Sequence, residues 1–251
     1  MPFTISHAAA VLPFRRTGLP LAALMIGSMS PDFAYFVLPR IDSFWTHSAR
    51  GLWQFCWPVS LAVWWIYVRW LEAPTFALLP PRWRAAFTPS DANVGPREVA
   101  FVSMAIILGA GTHIAWDSFT HAGRTVVNAV PLLKAKLIVF AGSAVPVYSI
   151  LQHLSTAIGL LVLGAWALQR WRHVAASPSA APSTRGLPGA WRVAACALLL
   201  ASTVALAAIG YVNHPGIAPE RRLFYLAVGG MQGGALAWIA VALWVRFRLR
   251  K

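Results

Sequence analysis

His113, Asp117 and His121 follow one another at intervals of four in the stretch Gly109-Ala-Gly-Thr-His113-Ile-Ala-Trp-Asp117-Ser-Phe-Thr-His121. On a continuing helix each step of four turns the position by about 40° and climbs about 6 Å, so the three side chains share one face. Two imidazoles and a carboxylate on one face make half of a metal site. The uncharged run Val99 to Gly111 that leads into them reads as a membrane helix. At membrane depth an Asp costs roughly 2.5–3.5 kcal/mol on insertion scales, so it usually faces the protein interior for a reason. The alternative is an interfacial cluster that meets water where the helix ends.

The elements that must position these residues follow from composition. The chain has 251 residues, 58% hydrophobic and 11% charged, with thirteen tryptophans, which is the composition of an integral membrane protein. Its net charge of +14 would suit nucleic acid, but the basic residues sit beside apolar runs, as topology signals and contacts to anionic lipids do. Nucleic acid is therefore not an expected partner, and membrane lipids are. Cys56 and Cys196 each lie inside an apolar run and read as packing residues.

Taken in order, the chain predicts an all-α membrane protein of about six transmembrane helices with an N-terminal helical hairpin. Ser6 can cap a short helix from Ala8 to about Arg16, which Gly18 and Pro20 end. Leu19 to Leu38 is apolar except for Asp32, and Gly51 to Val68 carries no charge and is long enough to span. A basic, proline-rich loop with Arg69, Arg82, Arg84 and Arg97 precedes the helix of about 99–121. The uncharged run Leu137 to Gln169 is too long for one span, and Gly142 and Pro146 divide it into an interfacial piece and a span of about 147–169. Val193 to Val212 and Leu223 to Val245 are the last two spans, the latter with Gly229-Gly230 and Gly233-Gly234 for close helix contact. The expected division is a site-bearing membrane domain at 1–170, a flexible linker at 171–192 and a two-helix hairpin at 193–251.

The basic residues orient these spans. Of the 21 Lys and Arg, only Arg40, Arg50, Arg124, Lys134, Lys136, Arg221 and Arg222 fall on one side, so the other side, with the C-terminus and the linker, is cytoplasmic. Asp32, His47, His113, Asp117, His121 and His153 then all fall toward the external end of the bundle. Folding the first helix back around Gly18 brings His7 to the level of Asp32. Only His173 and His214 stand apart from this layer. Each member alone has a simpler reading: His47 as an interfacial loop residue, His153 as a hydrogen-bonded core histidine, Asp32 as part of a turn after Pro31. Together they predict a metal centre for zinc, with manganese or iron as alternatives, and Asp117 as the carboxylate that bridges two ions. Arg50, three after His47, and Arg124, three after His121, could present a guanidinium to a phosphate or simply reach for lipid headgroups.

The opening Met-Pro-Phe-Thr-Ile-Ser-His7, then Gly27-Ser-Met-Ser-Pro31-Asp32-Phe33, Thr46-His47-Ser48 and Gly109-x-x-x-His113-x-x-x-Asp117, resembles a bacterial membrane family of unknown function catalogued as 4184. These motifs cover roughly residues 1–160. More distantly the pattern is similar to inner-membrane proteins described as metal-dependent hydrolases, and to the all-helical zinc-dependent phospholipase C and single-strand nuclease fold. That resemblance implies His7, Asp32, His47, His113 and Asp117 as ligands, with His121 and His153 as looser members. The chain departs from those enzymes where His153 is followed at i+4 by Ala157 instead of Glu, which argues against a full three-zinc cluster.

The function expected is metal-dependent hydrolysis of a phosphoester, lipid-linked and reached from the bilayer, in a multi-pass protein of the bacterial inner membrane. Asp117, Arg50 and Arg124 are the candidate catalytic residues. Other readings of the same His/Asp line are a transporter, a metal-handling protein, or a haem or quinone protein with paired axial histidines. The inner halves of the spans offer almost no polar residues, which favours a one-sided site over a transport path.

Overall fold

The computed structural model describes residues 3–37, 43–84, 90, 95–140, 143–175, 186–217 and 219–249. Helix dominates, and among the described residues four helical segments are long and apolar enough to cross a membrane: Pro96–Ala129, Val147–His173, Gly189–Val212 and Arg222–Arg248. They belong to helices labelled α2 (Pro96–Thr120), α3 (Val147–Ala175), α4 (Gly189–Val212) and α5 (Pro219–Leu249). The two further spans expected from sequence are not among these four, and each contains turns of another helical type. In Leu19 to Leu38, helix α1 (Leu21–Met29) gives way to a tight 3₁₀ turn at Ser30–Asp32 and a short helix, Phe33–Val37. In Gly51 to Val68, wide π turns at Leu52–Cys56 and Tyr67–Leu71 flank an α-helical stretch of ten residues, Trp57–Ile66. Each π turn is followed within three residues by a proline, Pro58 or Pro74. A ring there removes an amide donor and crowds the carbonyl four residues back, and a wider turn absorbs the misfit.

Two compact units divide the chain: residues 1–64 with 94–166, and residues 65–93 with 167–251. The first opens with a 3₁₀ helix, Thr4–Arg16, where sequence suggested a shorter helix from Ala8. Gly18, at φ +82°, turns the chain back so that α1 lies against this helix as the expected hairpin. A left-handed φ is costly for any residue with a Cβ, which is why glycine stands at the bend. Helix α1 then crosses α2 with the backbones touching. A Cβ on Gly27 would collide with the Ile106 carbonyl, and one on Gly109 with the Leu24 carbonyl. Leu24, Val102, Ala105 and Ile106 fill this crossing and are fully buried. Strands β1 (Lys136–Phe140) and β2 (Ser143–Pro146) pair as an antiparallel hairpin where an interfacial piece of an all-α chain was expected. Gly142, the expected divider, lies outside the described residues. Helix α3 leans on the N-terminal helix at Gly159, beside the Ser6 backbone, and Thr156 Oγ1 accepts from the Phe3 amide at 3.2 Å.

In the second unit α4 and α5 form a close antiparallel pair. A Cβ on Gly210, Gly229 or Gly233 would meet a carbonyl of the facing helix, the small-residue contact the glycine pairs predicted. The segment 65–78 groups with these helices, and Trp238 Nε1 donates to Thr75 Oγ1 at 2.8 Å. Of the expected linker, 171–175 and 189–192 are helical, while 176–185 lie outside the described residues. Leu161, Val193 and Leu200 stay about two-thirds or more exposed on helices of membrane length, as side chains that face lipid do.

Candidate metal centre

Asp117, in the last turn of α2, sits at the middle of a buried cluster. Its Oδ2 lies 3.3 Å from His47 Nε2, 3.4 Å from His113 Nε2 and 3.4 Å from His121 Nδ1. Its Oδ1 lies 3.5 Å from His7 Nε2. Asp32 Oδ1 approaches His47 Nε2 at 3.4 Å and His113 Nε2 at 3.8 Å. The two Nε2 atoms of His47 and His113 are 3.2 Å apart, and the His7 ring stacks on that of His113 with centroids 3.7 Å apart. Residues more than a hundred positions apart in sequence thus meet at one point.

Local structure explains each placement. His113 and Asp117 share a face of α2 as i, i+4 neighbours. The glycine crossing with α1 lets that face reach the turn after α1, where Pro31 holds Asp32 in a tight bend. The Gly18 hairpin returns His7 to the same level. His47 follows the short helix Ser43–Thr46 and is buried. His121 differs from its expected geometry: α2 ends at Thr120, and His121 caps it with extended backbone, φ −126° and ψ 136°. It reaches Asp117 from the turn instead of from a continuing helix.

The hydrogen bonds decide which nitrogens are left over. His113 Nδ1 donates to the Ser28 carbonyl at 2.7 Å, and His47 Nδ1 donates to the Ser43 carbonyl at 2.9 Å. A carbonyl only accepts, so both protons sit on Nδ1 and both Nε2 lone pairs point inward. Inward they find each other and two carboxylates, which are acceptors set against acceptors. This is the arrangement of histidines that ligate a metal, where the outer N–H to a backbone carbonyl fixes the ring and the inner nitrogen binds the ion. Thr4 Oγ1 orients the acid partner by donating to Asp32 Oδ2 at 2.7 Å. His7 Nε2, Asp117 Oδ1 and His121 Nε2 are buried and have no hydrogen-bond partner among the described residues. Two triads, His7–His113–Asp117 and Asp32–His47–His113, have ligand atoms within 4.8 Å of one another. The donor set therefore fits a divalent cation.

Charge is shared unevenly in this space. Burial, with His113 alongside, holds the His7 imidazole down at about 3. Burial also works against a charge on His47, but Asp117 and Asp32, which would accept from a protonated Nε2, outweigh it and raise the pKa to about 9.

The remaining candidates stand apart. His153 lies on an exposed face of α3, and no ion pair to the cluster includes it among the described residues. Arg50 is exposed and donates to Gln54 Oε1 at 2.9 Å. Arg124 stands closer to the chemistry. Its Nη2 donates at 3.2 Å to the same Ser43 carbonyl that holds His47, and its guanidinium lies 4.5 Å from the centre of the Phe44 ring. Sequence reasoning missed Thr4, Ser28 and Ser43. Only Thr4 left a trace there, as a hydroxyl three residues before His7. The model of a family described as "Domain of unknown function (DUF4184)" matches residues 1–243. No curated protein and no solved structure matches the chain.

Proposed function

The chain belongs to this family of unknown function, and from its own side chains we propose a membrane-embedded, metal-dependent hydrolase of a phosphoester. The supporting observation is the pair of Nε2 atoms 3.2 Å apart, each with its proton on the far side of the ring. His113 would hold a cation with His7 and Asp117 or with Asp32 and His47, and Asp117, with two oxygens, could serve two such positions. A divalent cation held here, zinc before manganese or iron, would supply the Lewis-acid chemistry for attack of water on a phosphoryl group. Asp32 and Asp117 supply the negative charge that keeps the cation in place, and the histidines fix its position. Arg124 is tied to the Ser43 carbonyl beside His47 and offers a planar fork to the phosphate. His121, whose Nδ1 lies 3.4 Å from Asp117 Oδ2, adds a further nitrogen donor at the edge of the cluster.

The four long apolar helices make this a membrane protein. In the proposed orientation the cluster faces the external side of a bacterial inner membrane and the C-terminus faces the cytoplasm, on the asymmetry of the basic residues. Purified protein is expected to carry a divalent metal by elemental analysis and, once loaded, to cleave a soluble phosphodiester such as bis(4-nitrophenyl) phosphate. Protein that purifies free of metal, with a melting temperature unmoved by added zinc or manganese, overturns the reading.

A further inference from the structure

A cavity of about 380 Å³ opens beside the cluster, between the N-terminal helix, α2 and α3. Its size falls in the range of small-molecule sites, about 300–1,000 Å³. Ala10, Leu154, Ile158 and Val162 are among its walls, and His7, a member of the cluster, forms part of its lining. The polar groups around it are already engaged. Trp116 Nε1 donates to Ser155 Oγ at 3.1 Å, Ser155 Oγ donates to the Gln152 carbonyl, and Ser6 Oγ donates to the Phe3 carbonyl. These groups spend their protons inside the protein, and His7 Nε2 is turned toward Asp117. The cavity thus offers apolar surface and little else.

Its position is equally specific. Trp116 belongs to the membrane-length segment Pro96–Ala129, and Leu154, Ile158 and Val162 to Val147–His173. Leu154 and Ile158 are about half exposed, so the wall formed by α3 is open sideways to the hydrocarbon of a bilayer. One end of the space is apolar and open to lipid, and at the other stands His7, the cluster member that lines it. We infer that the cavity is an acyl-chain subsite: it takes an alkyl tail of a lipid phosphoester whose phosphate lies at the cluster. This rests on the phosphoesterase reading and names its substrate class, a membrane lipid that enters sideways with its chain leading.

The test is photolabelling of the full-length, metal-loaded protein in lipid nanodiscs. The probe is a non-hydrolysable phosphonate analogue of phosphatidylglycerol with a diazirine at the end of one acyl chain. Labelling at Ala10, Leu154, Ile158 and Val162 is expected to exceed, several-fold, that at Leu200 and Val204, which are exposed apolar residues of α4. Ile158→Trp, and independently Ala10→Phe from the opposite wall, should abolish the excess while metal content stays unchanged. Equal labelling of the two groups, or an excess that survives both substitutions, overturns the subsite. The two readings fail separately. An excess that is the same for a diacylglycerol probe, with and without a chelator, keeps the chain subsite and removes the phosphoesterase. No excess from a protein that cleaves bis(4-nitrophenyl) phosphate removes the subsite and keeps the phosphoesterase.

Discussion

Two imidazole nitrogens 3.2 Å apart, each with its proton on the far side of the ring, repel unless something positive lies between them. In metal-free protein a proton on His47 fills that role, and the carboxylates raise its pKa from 6.5 to about 9. A raised folded-state pKa means the contribution to stability is complete below pH 6.5 and is lost as the pH climbs through about 9. The melting temperature of metal-free protein is therefore expected to fall across that window, and His47→Gln should flatten the fall. A bound cation displaces this proton, so metal-loaded protein should show no such decline, and loading near neutral pH should release a proton. Melting curves at a series of pH values, with and without metal, read both effects. Asp117→Asn keeps the shape of the side chain but removes its charge, and is expected to abolish metal binding in a folded protein. If Asp117 were only a buried structural charge, the same change would raise the melting temperature and leave metal content at background. Thr4→Val removes the donor that orients Asp32 and is expected to weaken metal binding about 10- to 100-fold by titration, the usual effect of losing such a partner. Arg124→Ala should keep the metal and raise KM for a phosphodiester. The inward-facing members were legible in the sequence because residue type and depth identify them. The Ser28 and Ser43 carbonyls were not, since every residue has a carbonyl and only the fold selects which one a histidine meets.

At the scale of elements, the site depends on how closely α1 and α2 approach. The Ser28 carbonyl can hold His113 at 2.7 Å only because Gly27 and Gly109 let the two backbones touch. Gly109→Ala puts a methyl group against the Leu24 carbonyl, and overpacking of this kind costs about 1–3 kcal/mol. The expected result is a lower melting temperature together with weaker metal binding, because the separation that relieves the clash also draws Ser28 away from His113. Gly111→Ala, where a Cβ meets nothing within 4 Å, should leave both unchanged and serves as the control. A fall in stability with metal affinity intact would separate the crossing from the site. This level was only partly legible. The hairpin around Gly18 and the start of α3 near 147 follow from turn residues, and both are found. The spans assigned to Leu19–Leu38 and Gly51–Val68 rested on apolar content; prolines at 31, 58 and 74 accompany a 3₁₀ turn and two π turns there, and neither segment is among the four helices long and apolar enough to cross. The β hairpin was missed because Leu137-Ile-Val-Phe140 is a short apolar run, which periodicity alone cannot assign to helix or strand.

For the whole molecule the question is which side of the membrane the cluster faces. The four helices long and apolar enough to cross give the same charge argument as the sequence. Arg69, Arg84 and Arg97 precede the first long helix or sit at its start, Arg170 and Arg172 end the second, and Arg246 and Arg248 end the fourth. Lys134, Lys136, Arg221 and Arg222 occupy the opposite ends. Basic residues beside spans tend to be retained in the cytoplasm, and on that ground the proposed orientation puts strands β1 and β2 and the cluster at the C-terminal end of α2 outside. Two measurements on intact cells test this without knowledge of the substrate. A cysteine at Leu137, a residue 65% exposed on β1, should react with a membrane-impermeant maleimide in Cys56→Ala, Cys196→Ala protein, whereas a cysteine at Lys251 should react only after the membrane is broken. A membrane-impermeant chelator should strip metal from right-side-out vesicles and leave inverted vesicles loaded. The reverse pattern in both assays would place the site in the cytoplasm. It would also require the seven basic residues on the cluster's side to be held inside against the fourteen on the other, and the cluster's internal geometry would stand unchanged.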